Sequence, residues 1–337
     1  MPVPPLDLPT DTAPGAPNLV QALAAAAGDD PRRRALAALM ARLADAAVPL
    51  AARLARGRVP GDPKAVVGTN RSGDAQQALD MAAHHHFLRA LSGMSVARVL
   101  SEEAEDPITL DPAGQFDVVM DPIDGSGSIG IGAPLGALFA VFPRGDSFLR
   151  PGREIIAAAY VSFGHSLDLG VSVGDGVMIA THDPVAGQFH VDTPRATIPE
   201  TTRMIAFNAS NLRHWSPGLR GYVDALLQGA DGPRGQDANM RWIAAAVGDL
   251  HRILRRGGAF LYPADARPGY ERGFLRLTYE AFPIAWLVEQ AGGAATDGRR
   301  AILELTPPEL HARVPLFFGA RAELATIAAH LAPDPET

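Results

Sequence analysis

The sequence predicts a mixed α/β (α+β) protein made of two subdomains. Its 337 residues are enough to bury two hydrophobic cores, and 47% of them are hydrophobic. Helical patterns come first, short apolar runs separated by glycine and proline follow, and after Pro199 strands and helices alternate. Such alternation is typical of an open α/β half. We therefore place the boundary near Thr197–Thr201, with one subdomain at 19–198 and the other at 199–337.

Two helices are predicted in the first subdomain, preceded by an N-terminal arm. Residues 1–17 contain six prolines and few apolar side chains, so we expect residues 1–18 to form a flexible arm. A helix should begin at Pro31 and stop at Gly57, and another should run from about Asp74 to Leu91.

Short apolar runs predict the strands. Val96–Leu100 and Phe116–Met120 are the most informative, since each runs into polar residues at its C-terminal end. Further strands are expected at Leu135–Phe142, Ile155–Phe163, Leu169–Val173 and Gly176–Ala180. The alternating elements of the second subdomain are Ile205–Phe207, Tyr222–Leu227, Trp242–Leu254, Phe260–Tyr262, Phe282–Ala291 and Leu316–Gly319.

Composition and charge exclude several classes of protein. The net charge of −7 argues against a broadly basic nucleic-acid surface, though not against a local basic pocket. There is no cysteine, so disulfides, thiolate metal sites and thiol nucleophiles are excluded. No apolar run approaches the roughly 18 residues of a membrane span, and the N-terminus lacks a signal pattern. The sequence therefore predicts a cytoplasmic protein without a membrane or nucleic-acid partner.

The sharpest local feature is the acidic turn Asp121-Pro122-Ile123-Asp124-Gly125-Ser126, directly after an apolar run. Carboxylates at the end of a strand lie where open α/β sheets usually bind ligands. Two carboxylates held close together repel unless a cation lies between them, and Mg²⁺ favours oxygen ligands. The same residue types are also common in an Asx-type turn without any ligand.

A second acidic pair, Glu102-Glu103, follows the run Val96–Leu100. If the two strands are parallel neighbours, both acidic ends lie at the same level, although adjacent glutamates are by themselves ordinary solvated charge. The small residues Gly125–Ser128 could bring backbone N–H groups close to a phosphate. The run His84–His86 resembles a metal tract, but consecutive helical residues point about 100° apart and do not converge on one ion.

These residues, with several further motifs in the same order, make the sequence resemble the class I fructose-1,6-bisphosphatases over residues 20–330. The acidic turn resembles the family's Asp-Pro-Leu-Asp-Gly-Ser signature, and Ser101-Glu102-Glu103 precedes it at the expected distance. The other matching segments are Gly73-Asp74, Leu79-Asp80, Leu275–Glu280, Glu289–Gly298 and His311–Pro315. The resemblance implies a layered αβαβα sandwich of the sugar-phosphatase type.

The resemblance also implies the chemistry: release of the 1-phosphate of fructose 1,6-bisphosphate by a metal-activated water, without a covalent phospho-enzyme. Two or more Mg²⁺ ions, or Mn²⁺, would be held by Glu102, Asp121, Asp124, Glu280 and the backbone carbonyl of Ile123. Asp74, Asp80 and Glu103 would lie around the attacking water, with Asp80 and Glu103 accepting its proton. The residues implied in substrate binding are Asp124, Gly125, Ser126, Asn208, Asn211, Arg241, Trp242, Tyr262 and Arg276. Arg241 matches an arginine that reaches into a neighbouring subunit's site, which implies a homo-oligomer of at least two subunits, and we expect a tetramer.

For several of these residues a structural explanation stays open. Trp242 and Tyr262 flank apolar runs and could be core or interface aromatics, and Asn208 could be a turn residue. Arg276 could be a surface arginine that pairs with Glu271 or Glu280.

Departures from the family pattern affect specificity and regulation. Gly127-Ser128 replaces the usual Ser-Asn, so one hydroxyl near the phosphate is absent. Phe274 stands where a lysine or arginine usually binds the sugar phosphates, and Arg272 or Arg276 could substitute for it. Gln115-Phe116 stands where regulated members carry a lysine-tyrosine pair that binds AMP. We therefore predict weak or absent inhibition by AMP.

Three alternatives stay open at the level of sequence. An inositol monophosphatase-type enzyme shares the Glu-Glu pair and the Asp-Pro-Ile-Asp-Gly turn, but usually has threonine after that glycine. Sedoheptulose 1,7-bisphosphate could be an additional or main substrate. A catalytically inactive homologue is the third alternative, although it would have no chemical reason to retain seven acidic residues. The sequence does not distinguish gluconeogenesis from a reductive pentose (Calvin) cycle.

Overall fold

The structure is a computed structural model that describes residues 15–69 and 75–332. Within these ranges the helices are α1 (Leu19–Ala27), α2 (Pro31–Ala55), α3 (Ala78–Leu91), α4 (Pro217–Gln228), α5 (Ala246–Arg256), α6 (Phe282–Gln290) and α7 (Arg321–Leu331). The strands of the first half are β1 (Val66–Thr69), β2 (Ala75–Gln77), β3 (Val96–Ser101), β4 (Ile108–Thr109), β5 (Phe116–Asp124), β6 (Leu135–Pro143), β7 (Ala157–Phe163), β8 (Leu167–Ser172), β9 (Val177–Asp183) and β10 (Gln188–Ala196). Those of the second half are β11 (Met204–Phe207), β12 (Asn239–Met240), β13 (Ala259–Tyr262), β14 (Leu275–Arg276), β15 (Ala294–Thr296), β16 (Arg313–Val314) and β17 (Leu316–Gly319).

An eight-stranded sheet forms the centre of the first half, in the order β10-β9-β8-β7-β6-β5-β3-β4. Strands β3 and β5 are parallel neighbours, with Ser101 in register with Met120. The carboxyl ends of these two strands therefore lie at the same level of the sheet, as the sequence predicted.

Helices α1, α2 and α3 cover one face of this sheet and share one hydrophobic core with it. Asp30 caps α2 by accepting a hydrogen bond from the backbone N of Arg33 at 2.8 Å, and Pro31 occupies the first turn. Helix α2 ends before Gly57, where the sequence predicted its end.

Helix α2 corrects one statement made from the sequence. It has 25 residues and, by length and composition alone, is apolar enough to cross a membrane, although we saw no apolar run of that size. About half of its apolar window is buried inside the protein, where Leu39, Met40 and Leu43 lie in the core. This burial is what is expected of the core helix of a globular fold.

A second, five-stranded sheet has the order β12-β11-β13-β17-β15. Helices α5 and α6 lie between the two sheets and form a common core with both. Helices α4 and α7 pack on the outer face of the second sheet. The layers therefore run helix, sheet, helix, sheet, helix, which confirms the predicted α/β (α+β) class and the αβαβα order.

Some elements begin elsewhere than predicted. Helix α3 starts at Ala78 rather than near Asp74, because residues 75–77 pair with β1 in a two-stranded ribbon. Helix α5 starts at Ala246 rather than Trp242, because the Asp249 carboxylate accepts from the backbone N of Ile243 and holds the preceding segment in a turn.

Several elements were not predicted: the helices α1 and α7, and the strands β1, β2, β4, β10, β12, β14, β15 and β16. Strand β10 lies at the edge of its sheet and carries polar residues, so its sequence has no apolar run. The last residues of the predicted arm contact this edge: Pro17 O accepts from Val191 N at 3.0 Å, and the Asn18 side chain caps α1.

Candidate active site

Carboxylates from both halves of the chain meet at the ends of β3 and β5. Asp121 and Asp124 lie within the last four residues of β5. Glu280 lies in a π-helical turn, Leu277–Ala281, that leads into α6. Carboxylate oxygens of these three buried residues lie within 4.8 Å of one another. π-Helical turns are often found at functional sites, and here the turn presents one acid to two others.

Local hydrogen bonds fix the two aspartates. One oxygen of Asp121 accepts from the backbone N of Ile123 at 2.9 Å. One oxygen of Asp124 accepts from the backbone N of Val247 at 2.7 Å. Val247 lies in the first turn of α5, where the positive end of the helix dipole favours a carboxylate. Helix α5 thereby ties the acidic turn to the second half of the protein.

Gly125 is required by this turn for two reasons. Its φ of +84° lies in the left-handed region, which residues with a Cβ rarely adopt. A Cβ at this position would also lie 2.8 Å from the Cβ of Ala245, just before α5. Ser126–Ser128 then form a short 3₁₀ turn, so both Gly125 and Ser126 lie next to the acidic group.

Glu280 is held by the chain that precedes it. One of its oxygens accepts a very short hydrogen bond from the backbone N of Arg276. The Arg276 side chain is half-buried, and its charge acts on Glu102 and Glu280. Arg276 therefore belongs to the acidic centre and is not an isolated surface residue.

Burial and mutual repulsion dominate the electrostatics of the centre. Burial raises the pKa of Asp121 well above its ordinary value, and the charges of Glu102, Glu280 and Asp124 raise it further. Burial likewise raises the pKa of Glu280, with Glu102 and Asp124 adding to the effect. The pKa of Glu102 is raised mainly by burial, while a hydrogen bond with Asp121 opposes the shift.

Asp124 shows the same balance. Burial raises its pKa to about 7, the hydrogen bond from Val247 opposes this, and the charge of Glu102 adds to it. Four acids crowded in this way bind protons, or cations, more strongly than isolated carboxylates do.

Asp80 and Glu103 lie beside Glu102 and form the second part of the site. Burial, with the charge of Glu102, raises the pKa of Asp80 to about 7 while Lys64 lowers it. Burial and the charges of Glu102 and Asp80 raise the pKa of Glu103 to about 8. One oxygen of Asp80 is buried and has no hydrogen-bond partner among the described residues. Asp74, which we predicted to join this group, lies outside the described residues.

The residues predicted to hold the sugar lie on the neighbouring elements of the second half. Asn208, Asn211 and Tyr262 line one small cleft. The Asn208 side chain also accepts from the backbone N of Ser210, so it has the structural role in a turn that we considered. Trp242 stacks on Phe260 at 5.4 Å between ring centroids and lies 6.1 Å from Tyr262.

Arg241 is exposed, and its Nη1 donates to the Asn239 side chain at 2.8 Å. Its side chain thus lies on the surface of the chain, apart from the acidic centre that Arg276 joins.

Three contacts near the acids were missed by reasoning from sequence. His84 Nδ1 lies 2.8 Å from Ser101 Oγ, directly before Glu102. His311 Nδ1 lies 3.1 Å from the Tyr279 hydroxyl, and its Nε2 lies 3.0 Å from the Glu105 backbone oxygen. We considered the histidine run only as a metal tract, although the spacing of four from Asp80 to His84 places both on one face of α3.

The fold and the buried carboxylates together define an α/β protein with an acidic centre suited to divalent cations and phosphoryl chemistry. The sequence model described as "Fructose-1-6-bisphosphatase, N-terminal domain" matches residues 35–194, and "Fructose-1-6-bisphosphatase, C-terminal domain" matches residues 198–332. The chain belongs to the class 1 fructose-1,6-bisphosphatase family.

Relatives and solved structures agree with this assignment. A protein of Brucella anthropi named fructose-1,6-bisphosphatase class 1 is 49% identical over 308 residues, which is 91% of each chain. One of Brucella suis with the same name is 50% identical over 300 residues, or 88% of each chain. The crystal structure of Leishmania major fructose-1,6-bisphosphatase in holo form is similar with a TM-score of 0.86 and 30% identity, covering 94% of this chain and 99% of that one. Its T-state structure gives a TM-score of 0.83 at 28% identity, covering 95% and 100%.

Proposed function

We propose that the chain is a phosphoric monoester hydrolase that removes the 1-phosphate of fructose 1,6-bisphosphate. The products are fructose 6-phosphate and inorganic phosphate. Membership of the family supports this activity, since the relatives named above carry the name of this enzyme. The observation that carries it is the approach of Asp121, Asp124 and Glu280 oxygens to within 4.8 Å of one another.

The donor set fits divalent cations. Glu102, Asp121, Asp124 and Glu280, with the backbone carbonyl of Ile123, are all oxygen donors of the kind that Mg²⁺ and Mn²⁺ prefer. Burial is the main cause of the raised pKa values of these four acids, and repulsion by neighbouring acids, which bound cations would relieve, adds to it for Asp121, Asp124 and Glu280. When bound, such ions lower the pKa of a water molecule and neutralise charge on the phosphoryl group and the departing oxygen.

The other acids serve proton transfer in this proposal. Asp80 and Glu103 have pKa values of about 7 and 8, close to the pH at which a general base works best. They would accept the proton of the attacking water, with Asp74 as a third member. One oxygen of Asp80 has no hydrogen-bond partner within residues 15–69 and 75–332, which supports this role because the oxygen could accept a hydrogen bond from the water.

Small residues and residues of the second half would bind the substrate. Gly125 and Ser126, beside Asp124, would contact the phosphate that leaves. The sugar and its second phosphate would lie against Asn208, Asn211, Tyr262, Trp242 and Arg276. The common cleft of Asn208, Asn211 and Tyr262 supports this placement.

We further propose that the chain forms a homo-oligomer, which we expect to be a tetramer, and acts in the cytoplasm. The exposed position of Arg241 supports contact with a neighbouring subunit. Analytical ultracentrifugation would measure the assembly, and a monomer at working concentration would contradict it.

The test of the activity is phosphate release from fructose 1,6-bisphosphate with Mg²⁺ or Mn²⁺ and after chelation. Sedoheptulose 1,7-bisphosphate and inositol 1-phosphate would be measured beside it. Fast, metal-dependent release from the hexose bisphosphate is expected, and its ratio to the heptose bisphosphate measures the breadth of specificity. Turnover of inositol 1-phosphate alone would instead support the inositol monophosphatase type, and no turnover of any of them an inactive homologue.

A further inference from the structure

An aromatic row adjoins the cleft that Tyr262 lines with Asn208 and Asn211. Tyr262 and Phe274 stack with ring centroids 5.3 Å apart, and Phe274 and Tyr270 stack at 5.3 Å with an interplanar angle of 10°. Trp242 continues the row beyond Tyr262. Phe274 is 40% exposed, which is unusual for a large apolar side chain held between two other rings. The ring therefore presents an apolar surface beside Tyr262.

The guanidinium over this ring belongs to Arg313. Its Cζ lies 5.7 Å from the Phe274 ring centroid, and its Nη1 donates to the backbone oxygen of Gly269 at 2.9 Å. Neither Arg272 nor Arg276, the two substitutes suggested by the sequence, occupies this position. Among the residues that the structure describes, Arg313 uses only this one donor, so its other N–H groups can reach a ligand.

Arg313 is also directly opposite Arg276. Strands β14 and β16 are antiparallel, and the register pairs Arg276 with Arg313 and Leu275 with Val314. Cross-strand partners lie on the same face, and like charges in such a pair destabilise the sheet. The charges of both arginines oppose the rise in the pKa of Glu102 that burial causes. An anionic ligand that bound both guanidinium groups would relieve their mutual repulsion.

We propose that Arg313, held over the Phe274 ring, binds the phosphate of the substrate that is not hydrolysed, while the ring supports the sugar. The inference rests on the proposed function and assigns a specificity-determining residue within it. Phe274, directly before β14, stands where the resemblance implies a cation, and Arg313 supplies one from the paired strand β16.

The test compares two substrates that differ only in the second phosphate, fructose 1,6-bisphosphate and fructose 1-phosphate. For Arg313→Met we expect KM for the bisphosphate to rise about 10–100-fold, because a hydrogen bond to a charged group usually contributes that factor to affinity. The value of kcat should change little. The kcat/KM for fructose 1-phosphate should change far less than that for the bisphosphate, because this substrate lacks the second phosphate and the charge of Arg313 is the smallest of the contributions acting on Glu102. Arg299→Met, at another exposed arginine, is the matched control and should change neither substrate.

A rescue variant separates binding from structure. Phe274→Lys in the Arg313→Met background should restore much of the lost affinity for the bisphosphate, because it returns a cation to the same place. An equal loss for both substrates, or no change in KM for the bisphosphate in a variant with wild-type melting temperature, would overturn the inference. Failure of the wild-type protein to release phosphate from the bisphosphate would instead overturn the proposed function itself.

Discussion

At the scale of single residues, the acidic centre combines two opposing effects. Asp121 is 2% exposed and lies among Glu102, Asp124 and Glu280, so in the metal-free protein its charge is both desolvated and repelled. The same crowding makes the group a strong cation site. Stability without metal and activity with metal should therefore respond in opposite directions when one charge is removed.

Asp121→Asn tests this opposition. We expect the rate of phosphate release at saturating Mg²⁺ to fall by more than about 100-fold, because even residues that only support a metal ligand are worth about 10–100-fold. Above the raised pKa of Asp121, the metal-free variant should melt at a higher temperature than the wild type, since one buried negative charge is gone. Calorimetry with and without Mg²⁺ would measure this, together with a phosphate-release assay.

Asp175→Asn is the control for Asp121→Asn. Asp175 is exposed and pairs with Arg195 at 3.3 Å on the surface, so its loss should alter neither rate nor melting temperature. If Asp121→Asn retained more than a tenth of the wild-type rate at saturating Mg²⁺, a threshold we set from the same range, the metal assignment would be wrong.

The raised pKa values also predict how stability depends on pH. Asp80, Asp124 and Glu103 have pKa values of about 7, 7 and 8 in the folded protein, against ordinary values of 3.8 for Asp and 4.5 for Glu. Between these limits the folded state binds more protons than the unfolded state, so stability falls as the pH rises. The metal-free protein should melt several degrees lower at pH 8.5 than at pH 5.5.

Mg²⁺ should reverse this trend. The cation binds deprotonated carboxylates, so the stabilisation that it provides grows with pH. Melting curves in chelator and in Mg²⁺ across this range would measure both slopes. Glu103→Gln should flatten the slope in chelator, and a metal-free melting temperature that rose with pH would contradict the raised values.

At the scale of elements, the site depends on how α3 is joined to β3. His84 is 3% exposed and lies one helical turn after Asp80, and its ring contacts Ser101 Oγ at 2.8 Å. The backbone N of Glu103 lies 3.4 Å from the same hydroxyl. This contact fixes Glu102 and Glu103 relative to Asp80, so His84 acts as a positioning residue.

His84→Ala should weaken that arrangement. We expect a loss of about 1–3 kcal/mol of stability, the usual cost of an unsatisfied buried partner, and a higher Mg²⁺ concentration for half-maximal activity. Burial lowers the pKa of His84 to about 4, so the effect should be the same from pH 6 to pH 8. Chemical denaturation and Mg²⁺ titrations of the rate would measure it.

The neighbouring His85 provides a matched control. It is exposed on the same helix, so His85→Ala should leave both stability and Mg²⁺ dependence unchanged. Equal effects of the two substitutions would show that the histidine run acts as a whole and not through the contact of His84 with Ser101.

Local sequence predicted the elements that carry the acids, because an apolar run that stops at a polar residue marks the end of a buried strand. Phe116–Met120 before Asp121 is the clearest case: β5 beside β3 confirmed the strand, although β5 continues past the predicted end as far as Asp124. Contacts between distant residues could not be read in this way. The hydrogen bond from Val247 to Asp124 joins residues 123 apart, and nothing near either residue indicates it.

The sequence also did not predict where several side chains lie. The resemblance implied that Phe274 replaces a cation. The residue that lies over its ring, Arg313, is 39 positions further along the chain and is brought there by the pairing of β14 with β16. The contact of Arg276 with the acids was expected only as one of two alternatives. Packing between layers decides such contacts, and periodicity does not report it.

At the scale of the whole molecule, the layers bring the two halves together at one site. The first half supplies Asp121, Asp124 and Glu102, and the second supplies Glu280 and the helix α5 that holds Asp124. A change that moves one half against the other would therefore alter the acidic centre directly. An effector could therefore inhibit an enzyme with this fold by binding a site that moves one half against the other.

Our last prediction is that AMP is not an effective inhibitor of this protein. Gln115 is uncharged, and Phe116 is fully buried in β5 and has no hydroxyl, whereas the resemblance places a lysine-tyrosine pair here in regulated members. Loss of hydrogen bonds to a charged phosphate costs about 10–100-fold in affinity. AMP titration of the phosphate-release rate should therefore show weak inhibition or none, and Gln115→Lys should bind AMP more tightly than the wild type. Tight, cooperative inhibition of the wild-type protein would show that another part of the chain supplies the missing contacts.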